Sequence, residues 1–216
     1  MALVRLHEES EAGRRLAELG LDSELLTTIL LAADAEARLY TELDPPGMSG
    51  MARYSRTVRG LRQALLPQGW SFDNVMNQAR TLSPDQDVAI IATLGDINAG
   101  NPDPGVVPTQ QHPKGQATTR AVECNGQLSL LDLPELHWAP PAISGTTTWV
   151  LLYHPTEERI TAELSLPEMV GERGRITAWR ERIVLPDIML EPEITLAMHS
   201  ELPGDMLDIP VERRSA

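Results

Sequence analysis

The sequence predicts an α+β fold in which an N-terminal helical layer covers an antiparallel sheet of about five strands. Apolar residues recur at three- and four-residue spacing through the first 70 residues, and they alternate with polar residues in later segments. Helices followed by strands are typical of α+β proteins. We therefore expect a helical region over 1–70 and a β-rich region over 71–216, in one domain or as separate units.

Three helices are predicted in the first 70 residues. The first covers Glu8 to Gly20, because glycine commonly follows the end of a helix. The second starts at Asp22 or Ser23, carries apolar residues as far as Tyr40 and ends before the Asp-Pro-Pro-Gly turn. A third runs from about Gly50 to Leu66, where proline and glycine follow.

The strands are predicted as two hairpins and one further strand. They are Gln78–Leu82 with Asp87–Leu94, Trp149–Tyr153 with Ile160–Leu166, and Arg175–Leu185. In Ile160–Leu166 apolar residues alternate with Thr161, Glu163 and Ser165, which predicts one buried face and one solvent-facing face. A long loop is expected at 95–126, and its glycine- and proline-rich part, Gly95–Gln116, should be exposed.

Charge and cysteine content limit the class of protein. The formal net charge of −13 argues against non-specific coating of nucleic acid, because the overall field repels phosphate. Cys124 is the single cysteine and cannot form an internal disulfide. The N-terminus lacks the apolar core of a signal peptide, and no apolar stretch is long enough to cross a bilayer. We expect a cytoplasmic protein without a membrane partner.

No motif indicates a catalytic, metal or cofactor site. The five histidines show neither His-Glu-x-x-His nor paired spacing, and no cysteine-protease signature surrounds Cys124. Neither a phosphate-binding loop nor a Gly-x-Ser-x-Gly elbow occurs. We predict no cofactor and no metal, and the sequence leaves open whether the protein is an enzyme, since a thiol and its base need only meet in space.

Several short segments from Met51 onward form a distinctive set. They are Arg53–Arg59 with Gly69-Trp70, Pro113–Gly115, Gln127–Leu130, Glu163–Pro167 and Gly174–Trp179. The set resembles a family of uncharacterised bacterial proteins that have no assigned activity. The resemblance implies a bacterial source, often in mobile-element or prophage-like gene clusters, and it supplies no catalytic residues.

One candidate binding segment is Gln127-Leu128-Ser129-Leu130-Leu131. It is similar to the peptide by which many bacterial replication and repair proteins dock on the DNA sliding clamp, except that Leu131 stands in place of phenylalanine. Such a peptide binds in extended form, with side chains that fill pockets of its partner. The alternative is that the same leucines, with Leu133, cover the protein's own core.

A second candidate is a basic stretch between Pro45 and Phe72, where there is no acidic residue. Its arginines are Arg53, Arg56, Arg59 and Arg62. Residues three apart turn by about 300° on a helix, so successive arginines form a slanting stripe. The stripe is suited to contact phosphates or an acidic partner. The alternatives are a solvated helix face and arginines paired with the chain's own acids.

These observations predict a non-enzymatic interaction or accessory protein beside a DNA-processing or mobile-element system. Its partner would be a protein, with the sliding clamp as the candidate. The alternative is a nucleic-acid-associated enzyme or binding module that uses the arginine-rich helix and binds nucleic acid weakly. A purely structural subunit is a third interpretation.

Overall fold

The structure, a computed structural model, describes residues 4–111, 119, 122, 125, 145–171 and 174–190. The helices in these residues are α1 (Glu9–Glu18), α2 (Ser23–Ala37) and α3 (Met48–Leu65). The strands are β1 (Arg5–His7), β2 (Ser71–Asp73), β3 (Arg80–Leu82), β4 (Val88–Leu94), β5 (Thr147–Pro155), β6 (Arg159–Val170), β7 (Ile176–Val184) and β8 (Ile188–Met189). Single turns of 3₁₀ helix lie at Leu66–Gln68 and Val75–Asn77.

All eight described strands join one mixed sheet in the order β1-β7-β6-β5-β4-β3-β2, and β8 pairs with the start of β6. The pairs β4–β5 and β1–β7 are parallel, whereas the other neighbours are antiparallel. The predicted α+β class is confirmed. The prediction of an antiparallel sheet of about five strands was wrong, because the sheet is mixed and has eight strands.

The two parallel pairs explain the difference. Parallel neighbours need a crossover connection, and the residues between the end of β4 and the start of β5 form a long one. β1 precedes the first helix and lies along β7 at the sheet edge. With two or three residues each, β1, β2 and β8 are too short to show the alternation that marks a strand in sequence.

The helices pack on one face of the sheet, and their apolar sides form the main core with it. This core includes Leu16, Leu26, Leu30, Leu61, Leu65, Trp149, Leu151, Tyr153 and Leu164. The Asp22 carboxylate caps α2 by accepting a hydrogen bond from the Glu24 amide. The predicted buried face of β6 is confirmed, since Ile160, Ala162 and Leu164 are all at most 1% exposed. The prediction that its other face is solvent-facing was wrong, because Glu163 and Ser165 are fully buried.

The residues after β4 partly cover the other face of the sheet. Ala99, Gly100, Pro108 and Gln110 are buried there, so the prediction that Gly95–Gln116 is an exposed loop was wrong for this part. Gly100 has a φ of +76°, and a Cβ at this position would lie 2.7 Å from the backbone nitrogen of Ala162. The segment can therefore approach β6 this closely only with glycine at position 100.

Candidate functional site

The predicted arginine stripe lies on α3, and most of it is bonded within the protein. Arg53 donates two hydrogen bonds to one oxygen of Asp34, from Nε at 3.1 Å and from Nη2 at 2.8 Å. Arg56 forms an ion pair of 3.5 Å with Glu36. Both acids belong to α2, so packing of α2 against α3 supplies these partners.

The other two arginines of the stripe differ from each other. Arg62 donates to the Asp73 carbonyl at 3.0 Å and to the Asn74 side chain at 2.8 Å, and its guanidinium lies over the Phe72 ring. Arg59 is exposed, and its side chain has no ion pair or hydrogen bond within the described part of the chain. Contact of the stripe with a polyanion stays a prediction, and Arg59 is the member most open to such contact.

Gln127–Leu131, the predicted clamp-binding segment, lies outside the described residues. Asn125, two positions earlier, is buried and is bonded to β5 in both directions. Its side chain donates to the Thr148 carbonyl at 2.9 Å, and its side-chain oxygen accepts from the Thr148 amide at 2.8 Å. Asn125 is therefore fixed at the start of β5.

Asp34 and Arg38 together connect α2, α3 and the turn between β5 and β6. Besides Arg53, Asp34 accepts a 2.6 Å hydrogen bond from Nε of Arg38, and it is itself only 1% exposed. Arg38 also donates to the Glu157 carbonyl at 3.2 Å, in the turn between β5 and β6. Since one carboxylate faces two guanidinium groups, the cluster carries a net positive charge.

A cavity of about 510 Å³ adjoins this cluster and is called here the α3 cavity. It lies where the N-terminus of α3 meets the carboxyl ends of the parallel strands β4 and β5. Its lining comprises Gly47, Gly50, Met51, Arg53, Tyr54, Leu94, Gln111, His154 and Pro155. None of the described residues that line it carries a carboxylate, although the chain has 31 acidic residues.

The N-terminus of α3 offers hydrogen-bond donors to the α3 cavity. Gly47, in the left-handed conformation, precedes α3, and no side chain in the described part of the chain caps the helix. Its first turn contains no acid. The N-terminus of α3 therefore presents the positive end of the helix dipole without a compensating charge. Nδ1 of His154 lies 3.2 Å from the Gly95 carbonyl, which can only accept, so Nδ1 carries the hydrogen and Nε2 of the neutral ring is an acceptor.

Tyr153 lies near Arg53. Its side chain is fully buried, and its hydroxyl has no hydrogen bond of normal geometry in the described structure. Burial raises the pKa of Tyr153 to about 12, while the nearby Thr57 hydroxyl and the Arg53 charge act in the opposite direction. The phenol is therefore a neutral hydroxyl at physiological pH, able to donate a hydrogen bond.

A second buried polar cluster lies on the other face of the sheet. Glu163 on β6 accepts four hydrogen bonds, from Ser165, the Gly100 amide and two nitrogens of Arg182, at 2.6 to 3.1 Å. Arg182 on β7 also donates to the carbonyls of Val106 and Asn101. These bonds attach the segment after β4 to the sheet, and the ion pair is closed to solvent.

Sequence patterns did not point to the α3 cavity. Tyr54, Gln111 and His154 are widely separated along the chain and form no motif. The one signal in the sequence is the acid-free, glycine-containing start of α3. Among the described residues, no group of three or more histidines, cysteines or acids is placed to hold a metal ion, and no helix is long and apolar enough to cross a membrane.

Comparisons with known proteins give no functional assignment. No family model, curated protein or solved structure matches this chain. The resemblance to a bacterial family therefore stays a prediction.

Proposed function

We propose that the chain is a non-enzymatic interaction protein that acts beside a DNA-processing or mobile-element system, with Gln127–Leu131 as its docking peptide for the bacterial sliding clamp. The observation that supports this proposal is the anchoring of Asn125 to Thr148. The peptide begins two residues after this fixed point of the sheet. A clamp bound there is held next to the folded body.

The composition of the peptide sets the expected strength of binding. Gln127 fixes the register through hydrogen bonds, and Leu128 and Leu130 fill apolar pockets of the partner. Leu131 supplies less apolar contact than the aromatic ring it replaces. We expect micromolar or weaker affinity, which corresponds to a binding free energy of magnitude about 8 kcal/mol or smaller.

We expect Gln127→Ala combined with Leu130→Ala to weaken clamp binding by about tenfold or more, because both the register and a pocket contact are lost. Isothermal titration calorimetry of the intact protein with purified clamp measures the affinity. Leu131→Phe is the matched variant and should strengthen binding, since it restores the aromatic anchor. Thermal unfolding should be nearly unchanged, because exposed substitutions usually alter stability by less than about 0.5 kcal/mol.

The contrary outcome is also well defined. If these leucines cover the protein's own core, the double variant loses several kcal/mol of stability, on the order of 2–5 for a buried leucine. The wild type then shows no heat with the clamp. That pair of results would reject the docking peptide.

A second candidate function is weak binding of nucleic acid through α3, and exposed Arg59 in its acid-free stretch favours it. We expect Arg59→Gln to make the slope of log DNA affinity against log salt concentration shallower by about 0.9, the value for one lost phosphate contact. Arg14→Gln is the comparison, since Arg14 is an exposed arginine of α1 outside the stripe. Fluorescence anisotropy with labelled DNA over a salt series measures both. No binding by the wild type at low salt would exclude this function.

A further inference from the structure

We propose that the α3 cavity binds a small organic anion, a carboxylate attached to an apolar body. Its volume of about 510 Å³ lies within the range of about 300 to 1,000 Å³ that is usual for small-molecule sites. The proposal concerns a site distinct from the docking peptide, and it does not depend on the clamp.

Charge is the first argument for an anion. Arg53 and Arg38 share the single carboxylate of Asp34, so one positive charge stays uncompensated beside the cavity. The dipole of α3 adds to it, because helix N-termini attract anions. The chain charge is −13, and the described residues of the lining include no acid, so this is a local positive site on a negative protein.

Hydrogen-bond geometry is the second argument. The two bonds from Arg53 to Asp34 use Nε and Nη2, which leaves Nη1 available for a ligand. A guanidinium fork matches a carboxylate because it offers parallel donors. Gln111 adds a side-chain amide to the lining.

The apolar part of the lining selects the body of the ligand. Leu94, Pro155 and the exposed side chain of Met51 give the cavity apolar walls. Apolar walls with a few placed polar groups are typical of organic ligand sites. A bare inorganic anion would leave these walls in contact with water, so we expect an organic acid to bind more tightly than phosphate.

Gly50 is a position where two variants that differ by one charge can be compared. A Cβ added at Gly50 meets only the Leu94 side chain, at the ordinary contact distance of 3.8 Å, so the backbone at this position accepts a side chain. Position 50 lies three residues before Arg53 and in the first turn of α3, where aspartate favours the helix. Gly50→Asp therefore supplies a built-in anion, and Gly50→Asn has nearly the same shape without the charge.

The probes are hexanoate, neutral hexanamide and inorganic phosphate, titrated by calorimetry into the full-length protein and both variants. We expect saturable binding of hexanoate to the wild type, weaker binding of phosphate and none of hexanamide. Gly50→Asp should weaken hexanoate binding by about tenfold or more, whereas Gly50→Asn should stay within about threefold of the wild type. Melting curves of both variants check that the fold is kept.

Several outcomes would overturn the inference. They are absence of saturable hexanoate binding at millimolar concentration, equal affinity of hexanamide, equal affinity of phosphate, and equal loss in the aspartate and asparagine variants. The first two reject an anion site, the third rejects the organic-acid class, and the last shows that shape rather than charge controls the cavity. Clamp binding is unaffected by any of them.

Discussion

Glu163→Gln is expected to lower the free energy of unfolding by about 3–5 kcal/mol, because it leaves the buried guanidinium of Arg182 without its counter-charge. Both side chains are at most 2% exposed. Glutamine offers one acceptor oxygen where glutamate offers two. The NH₂ group of glutamine, itself a donor, would face the donors of Arg182 and of either Ser165 or the Gly100 amide. Chemical denaturation under two-state conditions measures the loss.

Two controls separate burial from charge in this prediction. Glu168→Gln lies on the same strand, is only partly buried and should change stability by less than about 0.5 kcal/mol. Ser165→Ala removes one hydrogen bond to Glu163 and should cost about 1 kcal/mol. If Glu163→Gln cost no more than Glu168→Gln, the ion pair would not hold the segment after β4 on the sheet.

The same ion pair shows where the alternation of β6 misleads. The pattern correctly assigned Ile160 and Leu164 to one face and Glu163 to the other. It could not indicate what covers the polar face, since this depends on Gly100 and on Arg182, both distant in sequence. A carboxylate in a strand is usually solvated. Only long-range packing makes Glu163 a buried residue.

Long periodic segments were predictable, and the short or long-range features were not. α2, α3 and β6 repeat their patterns over 12 to 18 residues, which fixes their type. The pairing direction of β4 with β5 depends on the path of the chain between them, on which local composition carries no information. The α3 cavity depends on that pairing, because Leu94 and Pro155, which line it, end the two strands.

The arginine stripe illustrates the limit at a candidate site. The spacing placed Arg53, Arg56 and Arg59 on one helix, and α3 includes all three. Whether an arginine faces solvent or an internal acid depends on how α2 packs against α3. Asp34 lies among the buried residues of α2, so its role as partner of Arg53 appears only in three dimensions.

Leu164→Ala is expected to destabilise the protein by about 2–5 kcal/mol, the range for removing a large side chain from a packed core. Leu164 is fully buried on β6 and stands in register with Leu151 of β5 and Ile183 of β7, which are also fully buried. These three strands lie in the interior of the sheet, beneath the helical layer. Such a site has little freedom to collapse around the missing atoms, which favours the upper part of the range.

Met169→Ala is the matched control, because it is on the same strand and its side chain is more than half exposed. We expect it to change stability by less than about 0.5 kcal/mol. The unfolding free energy of both variants should depend equally steeply on denaturant concentration, because both expose nearly the same surface on unfolding. Only their midpoints should differ. Equal midpoints for Leu164→Ala and the wild type would contradict the assignment of this face of β6 to the core between sheet and helices.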